Sequence, residues 1–221
     1  MRSFDEIFAI AADRKGGAAV VEADLSHPKP AKELRAIPGD RWLSQMTQNI
    51  FNAGFNWKVV SSMWPGFAEA FKGFDVGACA MMNDEWFDQL VSDTRIVRHG
   101  AKIQAVQQNA VFLQEVASDA GSPGAFFADW PAEDYVGLLE TLKKRGTRLG
   151  GNTGQYFLRF MGVDGFILST DVVGRLVAEG VVDKAPSSKK AMAATQEAFN
   201  TWRAQSGRSF SEISRVLAQS L

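Results

Sequence analysis

Apolar residues recur every three to four positions along most of this chain, and glycine, proline and polar clusters interrupt them at short intervals. Ser3-Phe-Asp-Glu6 reads as a capping box, so Ile7, Phe8 and Ile10 predict a first helix that stops at Gly16-Gly17. Ala18–Glu22 hints at a strand, and Pro28, Pro30, Pro38 and Gly39 predict an irregular connection over residues 24–40. Helices are then expected over 40–53, ending near Gly54, and over 57–72, kinked by Pro65. Asn83 or Asp84 can cap the next, to about Asp93. Over 101–117, Ile103, Val106, Ala110, Leu113 and Ala117 form one stripe, with Gln104, Gln107, Gln108 and Glu115 facing away. Ala132–Arg145, with Tyr135, Leu138, Leu139 and Leu142 inward, ends at Gly146, and a helix from Asn152 to Met161 follows. Thr170 is expected to cap a helix to Glu179. Ser187 starts a long one with Met192, Thr195, Phe199 and Trp202 inward, and Ser209-Phe-Ser-Glu212 caps the last. One short strand cannot build a sheet, so the fold class is all-α.

Charge narrows the function classes only weakly. Lys plus Arg total 24 against 25 for Asp plus Glu, so a nucleic-acid partner needs a local basic patch. The lone Cys79 cannot form an internal disulfide, which fits a reducing, cytoplasmic compartment. With only His27 and His99 besides it, no metal site is expected. No apolar run approaches the roughly 20 residues of a membrane span. Asp5 and Glu6 also break any signal-peptide pattern. No P-loop, dinucleotide fingerprint or Ser-His-Asp arrangement stands out.

The segment Leu142-Lys-Lys-Arg-Gly146-Thr-Arg148-Leu-Gly150-Gly151-Asn-Thr153-Gly154-Gln155-Tyr156 carries the most chemistry. A helix ends in basic residues, a glycine-rich turn follows, and a new helix begins. Free N–H groups at that start favour an anion, and Lys143, Lys144, Arg145 and Arg148 add positive charge. This suits a sequence-independent contact to a DNA backbone. A solvated corner between two helices accounts for the same residues, because basic side chains favour a helix C-terminus anyway.

Three blocks in order resemble the 3-methyladenine DNA glycosylase I family of the helix-hairpin-helix superfamily. They are Asn52-Ala-Gly-Phe-Asn-Trp57, similar to Q-A-G-L-S-W; Ile96-Val-Arg-His-Gly-Ala-Lys-Ile103 with Asn109-Ala110, similar to I-I-R-x-x-x-K-I and N-A; and Leu142-Lys-Lys-Arg-Gly146 with Gly151 and Thr153. The resemblance covers roughly residues 45–175 and implies two helical lobes around a cleft. The chain then reads as a single domain, with a variable segment 1–40, a family-like core 41–175 and C-terminal helices 176–221.

The resemblance further implies an enzyme that flips a damaged nucleotide from the duplex and hydrolyses its N-glycosidic bond. It puts Trp57 in the base pocket, where an indole face suits a cationic purine; a core role is the alternative. Phe55 matches a leucine that plugs the stack, although burial would equally explain an apolar residue there. The base-recognising glutamate of the family is Asn49 here, which carries no charge, and Gln45 and Gln48 are polar neighbours. Gly151, Thr153, Gly154, Lys144 and Arg148 would meet the DNA backbone, and carbonyls of the turn could hold a monovalent cation. The turn departs from the common L-P-G-V-G pattern. The family's zinc ligands have no counterparts, so no zinc is expected.

Asp171 matches the position of a catalytic aspartate in the wider superfamily, where a carboxylate stabilises positive charge on the sugar. Capping a helix is its alternative role. Where bifunctional members carry a Schiff-base lysine this chain has Gln155, so a monofunctional enzyme is expected. Arg95, Arg98, His99 and Lys102 form a basic cluster, either for phosphate or as a solvated turn. The resulting expectation is a monomeric glycosylase acting on alkylated purines in damaged double-stranded DNA. The alternatives are a catalytically weakened lesion-binding protein of the same fold and a helical scaffold without a nucleic-acid role.

Overall fold

The computed structural model describes residues 1–221, and every regular element is helical. In chain order these are α1 (Phe4–Lys15), α2 (Ala18–Ala23), α3 (Ala31–Ala36), α4 (Gly39–Asn52), α5 (Trp57–Ser62), α6 (Trp64–Ala70), α7 (Val76–Ala80) and α8 (Asp84–Ser92). They continue with α9 (Gly100–Ala120), α10 (Pro123–Ala128), α11 (Tyr135–Arg145), α12 (Asn152–Met161), α13 (Thr170–Ala178), α14 (Lys189–Ser206) and α15 (Phe210–Gln219). No helix is long and apolar enough to cross a membrane.

The capping signals fix the ends they were read for. Ser3 and Glu6 close the box on α1, and Gly16 ends that helix in the left-handed region at φ 89°. Ser209 and Glu212 do the same for α15, and Asn83 caps α8 through the Trp86 amide. Five expectations are corrected. Ala18–Glu22 is the helix α2, because an alanine-rich stretch with no strand to pair with satisfies its backbone internally. The proline-rich connection contains α3. Residues 57–72 form two helices broken at Met63; Pro65 lies in the first turn of α6, where a missing N–H costs nothing. Ser169, not Thr170 or Asp171, caps α13, and Ser188 caps α14. The short helices α7 and α10 have too few turns for their periodicity to be read from sequence.

The chain forms two compact units, and the border falls inside α11, between Leu138 and Leu139. The first comprises Met1–Lys29, Pro131–Leu138 and Gly162–Leu221. Its core is aromatic: Phe166 stacks on Phe199 at 4.2 Å and meets Tyr135 edge-on at 4.8 Å. The Asp164 carboxylate accepts from the amides of Phe210 and Ser211 and so fixes the start of α15. Arg175 is buried, donating to the Ser220 hydroxyl and to Glu179, which also accepts from Arg2. Burial pushes the Glu179 carboxyl upward, but the hydrogen bonds from Arg2 and Arg175 outweigh it and hold the group below the usual carboxylate range.

The second unit comprises Pro30–Trp130 and Leu139–Met161. Its axis is α9, which packs on α4, α7, α8 and α10, while α4 also packs on α12. Ile103, Val106, Ala110 and Leu113 are buried as the stripe predicts. Gln107, expected to face away, is half-buried and donates to the Ala80 and Met82 carbonyls, tying α9 to the end of α7. Trp42 stacks on Phe127 at 4.4 Å, and its indole N–H donates to Ile37. Backbone approach is closest at Gly124, where an added Cβ would lie 2.5 Å from the Leu34 carbonyl oxygen. Gly124→Ala must push α10 off α3. The expected cost is about 1–3 kcal/mol, read as a lower midpoint in urea unfolding.

Candidate nucleic-acid interface

The second unit brings together the end of α4, the loop after it, the start of α9 and the turn between α11 and α12. Asn49 lies buried near the end of α4, and its side-chain oxygen accepts from Gln45 Nε2 at 2.8 Å. Gln45 also donates to Gln48. Gly54, at φ 82°, lets the chain reverse after the helix, and the Asn56 side chain accepts from the Lys58 amide to start α5. Trp57 is therefore the first residue of α5. It is 45% exposed, whereas Trp42 and Trp202 are fully buried, so it is not a core aromatic. Its ring meets Tyr156 and Phe160 of α12 edge-on, both at 5.9 Å, and Phe160 is itself 45% exposed. Phe55 is 40% exposed, which rules out the core role for it too.

Lys102 supports this loop from beneath. Its Nζ donates to the carbonyls of Phe51 and Ala53, which end α4, and lies 4.4 Å from the centre of the Phe55 ring. Burial, with a smaller contribution from the positive charge of Arg148, lowers its pKa to about 8. The rest of the basic cluster separates by environment. Arg95 is paired with Asp93 and Glu69, whereas Arg98 is exposed.

Two turns further along α9, Asn109 is fully buried and reads the backbone of the basic turn. Its Nδ2 donates to the Thr147 carbonyl at 3.0 Å, and its Oδ1 accepts from the Thr147 amide at 2.8 Å. Arg148 adopts φ 61° and donates from Nε to the Ala101 carbonyl, while Leu149 is buried and Gly151 returns at φ 58°. Gly154 leaves room for the Leu149 carbonyl, which a Cβ would strike. Thr153 is half-buried in the first turn of α12. Lys144 pairs with Glu140 and Arg145 with Glu115, whereas Lys143 and Arg148 are exposed cations without an ion pair.

The structure thus connects the three sequence blocks: Lys102 of the second grips the end of the first, and Asn109 of the second grips the turn of the third. Their roles depend on burial, which the sequence did not reveal. The same holds for Tyr156 and Phe160, whose spacing of four on α12 was the available signal. Gln155 is buried, with no exposed amine in its place.

Asp171 belongs to the other unit. It is exposed in the first turn of α13, where Ser169 is the cap, so neither Asp171 nor Thr170 takes the capping role. No group of three or more His, Cys, Asp or Glu side chains is placed to hold a metal ion, so the residues present do not fit a zinc site. Cys79 is buried, its thiol pushed up to about 12 by burial. The grip on the basic turn can be measured: Asn109→Ala leaves both polar groups of Thr147 without their partner. It is expected to cost about 1–3 kcal/mol in urea unfolding and to speed amide hydrogen exchange in the turn.

Residues 39–136 match the methyladenine glycosylase family. No curated protein matches the chain significantly. Among solved structures, a tyrosine-to-phenylalanine variant of 3-methyladenine DNA glycosylase I in complex with 3-methyladenine is 18% identical, with a TM-score of 0.53; the match covers 66% of this chain and 86% of that one. The 3-methyladenine DNA glycosylase I of Staphylococcus aureus is 20% identical, with a TM-score of 0.52, covering 63% and 80%. A glutamate-to-glutamine variant of the S. aureus protein is 19% identical, with a TM-score of 0.51, covering 66% and 86%. At such identities the likeness is one of fold, and it is the all-α fold read from the periodicity. The likeness in sequence to methyladenine glycosylases thus lies in residues 39–136, and the likeness to the solved structures is one of fold.

Proposed function

We propose that this protein is a DNA N-glycosylase of base excision repair, hydrolysing the N-glycosidic bond of a 3-methyladenine-like alkylated purine after base flipping. One observation carries the reading. Lys102 and Asn109, both buried, hold two loops in place, and those loops leave Phe55, Trp57 and the Arg148 turn exposed. Exposed aromatics on a rigid support suit a stacked base and a wedge in the gap it leaves.

In this reading Trp57 stacks on the flipped purine, and its ring face attracts a positively charged base. Phe55 fills the vacated stack. Asn49 and Gln45 contact the base edge. Gly151, Thr153, Gly154, Lys144 and Arg148 take the phosphate backbone of damaged double-stranded DNA, as a helix-hairpin-helix does. A monovalent cation on the carbonyls of the turn is the one ion the proposal includes. Asp171 is the proposed catalytic carboxylate, with negative charge to oppose the oxocarbenium-like sugar. Buried Gln155 supplies no Schiff-base amine, so the enzyme releases the base without cutting the strand. It acts as a cytoplasmic monomer.

A second reading, a catalytically weakened lesion-binding protein of the same fold, is favoured by Asn49. That side chain is uncharged, and its oxygen is already engaged by Gln45.

The test is base release from methylated duplex DNA. Trp57→Ala and Asp171→Asn are each expected to slow it, the latter on the order of 10²–10³-fold. Unchanged release by Asp171→Asn would remove that residue from the chemistry but leave the glycosylase reading intact. Tight, salt-dependent binding without release from any lesion would establish the second reading. Asn49→Glu restores a negative charge, and it should raise the preference for a cationic over a neutral purine by about 10-fold or more, measured as a ratio of release rates.

A further inference from the structure

We propose that Lys102 is a positioning residue whose positive charge holds loop 53–56 in the shape that presents Phe55 and Trp57, and whose loss of charge lets that loop relax. The inference rests on the glycosylase reading for its consequence in catalysis, but its structural content stands on the chain alone.

Lys102 is only 5% exposed, and no carboxylate pairs with it. Residues 42–56, which make up most of α4 and the whole loop, contain no ionisable side chain. The basic turn contributes Arg148, a like charge. At the cap of its own helix, His99 stands edge-on to the Phe55 ring at 6.4 Å. The partners of the ammonium are therefore neutral: the carbonyls of Phe51 and Ala53 and the face of Phe55. All three lie at the end of α4 or in the loop itself. Hydrogen bonds from a cation to carbonyls exceed those from a neutral amine, and the attraction to the ring face exists only for the cation.

The same neutral surroundings leave the charge weakly held. Lys102 titrates at about 8, well below an ordinary lysine. Just above neutral pH the amine loses its proton, keeps its place as a donor, and gives up both charge-dependent attractions. Between about 8 and the ordinary lysine value, the unfolded chain binds a proton that the folded chain does not. By linkage the whole fold gains stability from this group as pH rises through that window, even as the loop loses its anchor. A purely structural lysine would show only the global trend.

Trp57 reports on the loop directly. Its emission, taken as the difference between the native protein and Trp57→Phe, is followed without DNA between about pH 6.5 and 9.5, a range that brackets the titration. The expected result is a transition centred near 8 in the native protein. Lys102→Arg keeps its charge throughout and should show none. A flat native signal, or a transition that persists in Lys102→Arg, would overturn the proposal. Lys102→Met, where it folds, should lack the transition as well. Base release measured over the same range should show an alkaline fall in the native protein that Lys102→Arg lacks. If the Trp57 transition follows Lys102 while no lesion is released at any pH, the glycosylase reading fails and the positioning role stands.

Discussion

The contacts made by α9 set the shape of the exposed loops in the second unit. Near its first turn a buried ammonium bonds the carbonyls that end α4, and two turns later a buried amide bonds both backbone groups of Thr147. Neither side chain could lie in the core without these partners, because an unpaired polar group there costs more than the bond gains. Each loop in turn relies on a side chain of α9 for hydrogen bonds it cannot make internally. One element therefore fixes two segments, residues 51–57 and 146–151, that are remote in sequence.

Rigid support matters because of what the loops carry. Phe55 and Trp57, with Phe160 of α12 beside Trp57, leave large apolar area in water, and burying such side chains would gain about 1.5–3 kcal/mol each. A fold that forgoes that gain needs stability from elsewhere. In the second unit it comes from the stacked rings around Trp42 and the Phe67–Phe74 group. The first unit uses a different arrangement, pairing the buried Arg175 with Glu179 and spreading the rest of the charge over Arg2 and Ser220. The Asn49–Gln45 bond shows a further use of hydrogen bonding: it satisfies a buried amide oxygen, and it also fixes which atom of that amide is left for another partner.

Much of this architecture was legible in the sequence because its causes are local. The capping boxes at Ser3 and Ser209, the apolar stripe from Ile103 to Leu113, and the glycine that ends α1 depend on neighbours within a turn. So did the all-α class, and the first two blocks lie within the residues that match the methyladenine glycosylase family. Short elements such as α2, α7 and α10 were misread or missed, since a helix of so few turns is decided by what it packs against. Pro65 was assigned a kink because its ring clash was placed inside a helix, when the chain begins a new helix there.

For the candidate interface, the sequence by itself determined the residue types: an indole at position 57, an uncharged amide at 49 and a basic glycine-rich turn. Only the tertiary structure decided their environments. It exposed Trp57 and Phe55, buried Asn49, placed Asp171 on the surface behind a different cap, and turned Lys102 and Asn109 from members of a motif into the supports of two loops. The physical reason is range. Capping and periodicity act over three or four residues, whereas burial, and with it the pKa of a lysine or the availability of an amide, is set by segments dozens of positions away.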